Sequence, residues 1–355
     1  GQQNGGRHWN KWLSDRGDAY IEIQAGILKT QLEHFPMKAR SEISFTEGYC
    51  AVRADAEKIH DKNYFVAQAE ISKAATNKIK RLKEDFFDIE REDKIEYYGS
   101  GFGALENALR KTPISRRCVF PKESLGEEQR EWLDLLGGKG LPDKDVGDCA
   151  KSYVVGKKWI DAINKTLSGN WYEYMHLGIL YYAEKDYRKA AKYFKKSVET
   201  KENCWAYRNL AQIKGNIYGD FVGAYEDMLR AFNLNSEYSS LVTEVAYACM
   251  RAGKYDKWID LYRLLNEELR ASGRIKMLTG ACYAKIGDTD NALRFINENL
   301  IVDDIKEGEY SLSAIWTDIY RRVIAKEKSV DFNAVSDAEV MEKYPLPFGL
   351  DYRMH

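Results

Sequence analysis

Residues 171–203, WYEYMHLGILYYAEKDYRKAAKYFKKSVETKEN, hold the pattern that decides the fold. Tyr174, Leu177, Gly178 and Tyr181 fall on a first helix, and Ala190, Phe194 and Ser197 on a second. Small residues at Gly178 and Ala190 let the two helices approach closely, while Tyr174, Tyr181 and Phe194 fill the space around that contact. A hairpin of this kind still has apolar faces left over and buries them only against neighbouring hairpins.

The code returns three times. Residues 204–232, CWAYRNLAQIKGNIYGDFVGAYEDMLRAF, place Tyr207, Leu210 and Ala211 before Ala224, Met228 and Ala231, with about one extra residue expected in the turn near Gly219. Residues 241–265 carry Ala246, Gly253, Tyr255 and Tyr262, but Trp258 takes the place of the small residue, so this hairpin is expected to splay. Residues 274–296 carry Gly280, Tyr283, Gly287, Ala292 and Ile296. A large residue, Leu-Gly, Tyr, then Ala and Phe over a period of about 34 residues resembles the tetratricopeptide repeat. The array is expected over residues 169–300.

The stretch before the array has another rhythm. In residues 18–26, DAYIEIQAG, Ile21, Ile23 and Ala25 alternate with Tyr20, Glu22 and Gln24, the period-two pattern of a half-buried strand. KTQLEHF and EISFTEGYC are two further strand candidates, separated by a turn at Pro36. Two or three strands rarely hold together alone, so residues 1–52 are expected to be the last strands of a larger β-domain. The earlier part of that domain would lie upstream in the same protein or be supplied by a separate chain. The sequence opens GQQNGGRHW without Met, and residue 1 is therefore not expected to be the natural beginning. The fold class is mainly α: a tetratricopeptide-like α-solenoid preceded by a few β-strands that complete a larger β-sandwich.

Residues 53–168 read as a helical connecting region. Phe65, Ala69, Ala75, Ile79, Leu82 and Phe86 follow helical spacing, and GSGFGALENALR enters another helix. Ser124 and Glu127 form a capping box before EEQREWLDLL, and a long loop leads to Lys157. Residues 301–355 are expected to cap the array: GEYSLSAIWTDIYRRVIAKE is amphipathic, Ser336 and Glu339 start a short helix that Pro345 stops, and LPFGLDYRMH is an apolar tail expected to dock.

Composition narrows the function classes. With 54 Lys and Arg against 55 Asp and Glu, the net charge of -1 provides no field to hold nucleic acid. No apolar run approaches the roughly 20 residues that cross a bilayer, and there is no signal-peptide core, so no membrane partner is expected. The 6 cysteines are scattered, which favours the cytoplasm. His8, His34, His60, His176 and His355 form no metal-binding spacing, and GSGFGALE lacks the Lys-Ser/Thr of a phosphate loop, so no metal and no cofactor is expected.

Specific words then point to a family. YIEIQAG with TQLEHFP, GSGFGALENALR, LGEEQREWLDLL with GKGLP, NWYEYMHLGI with WAYRNLA, GEYSLSAIW and the DYRM ending occur in one order. In that order the chain resembles a bacterial family of large proteins in which a galactose-mutarotase-like β-supersandwich, a domain of unknown function, precedes tetratricopeptide repeats. The resemblance implies that this chain is the C-terminal part of a cytoplasmic, carbohydrate-active protein. Glycoside binding or glycoside hydrolysis would then occur at the junction of β-domain and repeats.

Three residue groups are candidates for function. Glu22 and Gln24 share one side of their strand, and Gln31 and Glu33 one side of the next. Carboxylates at Glu22 and Glu33 could act as acid and as base or nucleophile across a glycosidic bond, with Gln24 and Gln31 on sugar hydroxyls; the alternative is a solvated sheet face. Arg7, His8, Trp9 and Trp12 could stack on and fork onto a sugar, or pack against a neighbouring domain. Tyr172, His176, Tyr182, Trp205, Arg208, Asn209 and Gln212 occupy first-helix positions that line a repeat groove. They either pack against the chain's own β-domain or bind a peptide, and the second alternative makes the protein a non-catalytic adapter.

Overall fold

The computed structural model describes residues 11, 13–14, 23–30, 32–43, 45, 47–87, 98–114, 118–306 and 309–353. The chain divides into two units, Ile21–Tyr97 and Tyr98–His355 together with Gly1–Tyr20.

The first unit contains α1 (Ala56–Ile59) and α2 (Tyr64–Phe87). Asp55 caps α1 by accepting from the Glu57 and Lys58 amides, and its own N–H donates to Glu70 of α2 at 3.3 Å. The expected strands are not realised: among the described residues from 23 to 50 there is no strand, and Ile23, Ile27, Leu32, Phe35, Ile43 and Phe45 are exposed. Period-two alternation is only a preference. It becomes a strand when a neighbouring edge supplies hydrogen bonds, and two or three short segments do not suffice by themselves.

In the second unit, α3 (Gly101–Arg110), α4 (Glu127–Leu136) and α5 (Lys157–Thr166) precede the array. The N-terminus of α4 corrects the expected capping box. Ser124 belongs to a 3₁₀ turn in which its hydroxyl donates to Pro121 O at 2.6 Å, Gly126 is the N-cap, and Gln129 rather than Glu127 reaches back to the Gly126 N–H at 2.9 Å. A free backbone amide needs an acceptor three residues on, and only Gln129 stands there.

The array consists of paired helices: α6 (Trp171–Ala183) with α7 (Tyr187–Thr200), α8 (Cys204–Gln212) with α9 (Phe221–Leu234), α10 (Ser239–Arg251) with α11 (Tyr255–Leu264), and, after the short α12 (Glu267–Ala271), α13 (Gly273–Ile286) with α14 (Thr289–Phe295). Short acceptors start many of these helices. Asn170, Asp186, Asn203, Asp220 and Asp288 each accept from the backbone N–H three residues ahead. The α6 start is reinforced by Glu173, which is fully buried and whose carboxylate accepts from the amides of Ser168, Gly169 and Asn170.

Within each pair, the small residue sets the separation. A Cβ at Gly178 would come within 2.5 Å of the Phe194 ring, and one at Gly280 within 2.7 Å of Ile296. The α10–α11 pair is looser, as Trp258 requires. That indole is fully buried and turns toward the next repeat, where its N–H donates to Thr279 Oγ1 at 3.0 Å. The extra residue in the second repeat is absorbed by a π-helical turn, Ile213–Ile217, ahead of Gly219, whose φ of 70° closes the hairpin.

Among the described residues two large cores result, one from Leu105 to Ile213 and one from Cys204 to Tyr352, with Trp205 and Tyr207 packed against both, and a small third one joins Ile324, Ala325, Val335 and Val340. Helix α15 (Ser311–Lys328) buries Leu312, Trp316 and Ile319 over the last pair, and Ser336 caps α16 (Asp337–Lys343) by accepting from Glu339 N–H at 3.2 Å. Leu350 and Tyr352 of the tail are buried in the same core. No helix among the described residues is long and apolar enough to cross a membrane.

Gly178→Ala forces a methyl group into the Phe194 ring. The substitution is expected to cost about 1–3 kcal/mol of overpacking strain in urea unfolding followed by circular dichroism. Unchanged stability would contradict the close approach as the repeat's determinant.

Candidate functional site

The first helices α6, α8, α10 and α13 present one face to a shared groove that contains three hollows. The first, about 400 Å³, is lined by Tyr153, Ile179, Tyr182, Arg208, Asn209 and Gln212. The second, about 160 Å³, includes Gln212, Asn216, Glu244, Tyr247 and Arg251. The third, about 420 Å³, includes Ser240, Thr243, Glu244, Arg274 and Asp304. Gln212 borders the first two and Glu244 the last two, so the hollows adjoin in a row that we term the trough.

A polar ladder follows the trough. Arg208 forks onto Glu244, Nε to Oε2 at 2.7 Å and Nη2 to Oε1 at 2.5 Å, while its Nη1 donates to Asn209 Oδ1 at 3.1 Å. The Glu244 carboxylate raises the already high pKa of the guanidinium and so holds its charge. Gln212 Oε1 accepts from Asn216 Nδ2 at 2.6 Å, and Asn216 Oδ1 accepts from Arg251 Nη1 at 2.5 Å. The π-helical turn has a role here: it places Gly215 and Asn216 beside Arg251, which also donates to Gly215 O at 3.2 Å. These amides both donate and accept, which suits them to the alternating N–H and C=O groups of an extended main chain.

At the other end the groove is covered by the chain itself. Residues 142–155, between α4 and α5, run across the N-terminal ends of α6 and α8. The Trp171 indole N–H donates to Lys144 O at 2.9 Å, and the Trp205 indole N–H donates to Val146 O at 3.2 Å. Beneath lie Tyr172 and His176, both buried. Tyr172 donates its hydroxyl to Glu131 at 3.0 Å, and burial followed by the Glu131 charge pushes its phenol above the ordinary range. His176 meets Tyr172 and Trp132 edge to face at 4.4 and 4.9 Å.

The structure therefore brings Arg208 and Asn209 together with Tyr182 and Gln212 on the open groove, and places Tyr172, His176 and much of Trp205 under the chain's own segment rather than on free surface. Gln24 and Glu33 are exposed in the other unit, where Glu33 accepts from Lys29 N–H at 3.3 Å. Arg7, His8, Trp9, Trp12, Glu22 and Gln31 lie outside the described residues. Sequence reasoning missed Tyr153, Asn216, Glu244 and Arg251. Projecting Arg208 forward by one repeat would have reached Glu244, 36 residues on, but nothing in the composition of 142–155 marks Tyr153 as a wall of the trough.

Solved structures similar to the chain include YrrB and yeast Tom70. YrrB, described as a TPR protein with an unusual peptide-binding site, matches over 55% of this chain and 96% of its own, at 14% identity and a TM-score of 0.37. Yeast Tom70 matches over 80% of this chain and 63% of its own, at 14% identity and a TM-score of 0.26. No protein-family model and no curated protein matches the sequence.

The Arg208–Glu244 pair is partly exposed, with side chains 38% and 27% accessible, so solvent screens most of its attraction. Arg208→Ala is expected to lower stability by no more than about 1 kcal/mol in thermal unfolding. A loss above roughly 3 kcal/mol, the size seen when a buried pair is broken, would mean that the pair holds the fold together rather than serving the groove.

Proposed function

We propose that this chain is a repeat scaffold that binds an extended segment of a partner protein in the trough of its first helices. The observation that carries the reading is the row of three hollows that adjoin at Gln212 and Glu244, lined by side chains able to pair with a main chain. Asn209, Gln212 and Asn216 would engage amides and carbonyls, while Ile179 and Tyr182 would receive an apolar side chain. No step of bond making or breaking is required. A cytoplasmic setting accords with the burial of Cys204, Cys249 and Cys282 as thiols.

A second reading follows from the resemblance: a carbohydrate ligand, and an N-terminal mutarotase-like β-domain in the same protein or a separate chain, with Glu22 and Glu33 as its carboxylates. One observation favours a sugar over a peptide in the first hollow, namely two tyrosines, Tyr153 and Tyr182, beside Arg208, Asn209 and Gln212. Aromatic faces with fork-like donors suit a pyranose ring.

A display library of random peptides selected on the full chain separates the two. The peptide reading expects enriched sequences whose affinity falls at least tenfold, about 1.4 kcal/mol, in Asn209→Ala/Gln212→Ala. Failure to enrich any peptide, together with saturable binding of an oligosaccharide panel, would replace the first reading by the second.

A further inference from the structure

The segment 142–155 is attached in an unusual way. Besides its own buried Val154 and the pairs of Lys144 with Glu131 and Lys151 with Glu127, its anchors are side chains reaching it from elsewhere: the Trp171 and Trp205 indoles on two carbonyls, and Trp132 Nε1, which donates to Ser152 Oγ at 2.9 Å while that hydroxyl donates to Glu128 O. Among the described residues, its sole main-chain to main-chain hydrogen bond is local, from Asp148 N–H to Asp145 O at 3.1 Å. At its two ends stand glycines in the left-handed region, Gly138 at φ 88° and Gly140 at 75° on one side and Gly156 at 107° on the other. A segment with hinges at both ends and no ladder can leave without unravelling a helix.

Beneath it is a titratable group that the groove does not use. His176 is 1% exposed, and its Nε2 has no hydrogen-bond partner. From α4 it faces the edge of Trp132, with the Glu131 carboxylate nearby holding the Tyr172 hydroxyl. From α6 it faces Tyr172, and α5 contributes only the uncharged Trp159 behind Trp132. The segment itself adds Tyr153, at 5.7 Å between rings, and Lys144, whose ammonium lies over the Tyr172 ring at 4.7 Å and pairs with Glu131. No acceptor is placed for a second imidazole N–H, and the cation brought by the segment opposes a positive ring.

We propose that residues 142–155 form a releasable strap over the aromatic end of the groove, and that proton uptake by His176 releases it. With the strap closed, burial and then the Lys144 charge hold the imidazole neutral down to about 3. Once the strap lifts, water reaches the ring and its pKa returns toward 6.5. The closed state thus binds fewer protons than the open one between these values, so closure is fully favoured above pH 6.5 and weakens as pH falls below it. Opening bares Trp171, Tyr172, His176 and Trp205, and lengthens the groove toward α4.

Hydrogen exchange of the Trp171 and Trp205 indole N–H groups in the full chain, which the closed strap holds on the Lys144 and Val146 carbonyls, corrected for the intrinsic rate, measures the opening constant directly. It is expected to rise roughly thirty-fold between pH 7.5 and pH 5, while the α6 amides keep their protection. His176→Phe, which fills the same space without a titratable nitrogen, should abolish the rise. Trp205→Phe, which removes the donor to Val146 O and trims the indole while adding no titratable group, should raise opening at every pH and leave the slope unchanged. Exchange of these indoles only together with the α6 amides, a wild-type opening constant flat in pH, an unchanged slope in His176→Phe, or unchanged opening in Trp205→Phe read at Trp171 would each overturn the proposal.

Discussion

The approach of each first helix to its second helix at a residue without a bulky side chain is the constraint on which the rest depends. Gly178 lets the Phe194 ring lie against the α6 backbone, and Gly280 does the same for Ile296. Because interiors pack at crystal-like density, that contact fixes both the separation and the rotation of the helices. Rotation matters more for function. It turns the same face of α6, α8, α10 and α13 inward, so that Arg208 and Glu244, on successive first helices, come within hydrogen-bond reach. Where the small residue is replaced, as at Trp258, the pair opens, and the indole finds its hydrogen bond in the following repeat instead.

The groove has two ends of opposite character. Near α10 it is lined with amides, hydroxyls and ions that already bond to one another, so a ligand must exchange these bonds rather than simply add to them. Hydrogen bonds exchanged in this way contribute specificity and only about 0.5–1.5 kcal/mol each. Near α6 the floor is aromatic, and burying it is worth far more per residue, on the order of 2–3 kcal/mol for a large side chain. The chain spends that burial on its own segment. For the partner proposed above, affinity would therefore be concentrated where the groove is open, at Ile179, Tyr182 and the Arg208 ladder, while the aromatic end serves stability as long as it stays covered.

Much of the helical array could be read from residues 171–296, because packing of neighbouring repeats is local in sequence and leaves a period. The capping helix and docked tail were legible for a related reason: the last pair has an apolar face that something must cover. The covering segment was not. In DKDVGDCAKSYVV no periodicity fixes a position, and its anchors are indoles 27 and 59 residues away from the carbonyls they hold. Tyr172, His176 and Trp205 lie on first helices, yet their accessibility depends on that long-range contact. The strand reading of residues 18–50 failed on its described part for a complementary reason. Alternation specifies which face a strand would bury and says nothing of whether an edge is present to receive it.

The most direct test of the groove as the binding surface is an NMR titration of the full chain with a selected peptide, observing side-chain amide signals. Asn209, Gln212 and Asn216 are predicted to shift together and with one dissociation constant, since one extended segment would break and remake the same ladder. Shifts confined to the outer faces of α7 and α9, with those three amides unmoved, would contradict the account.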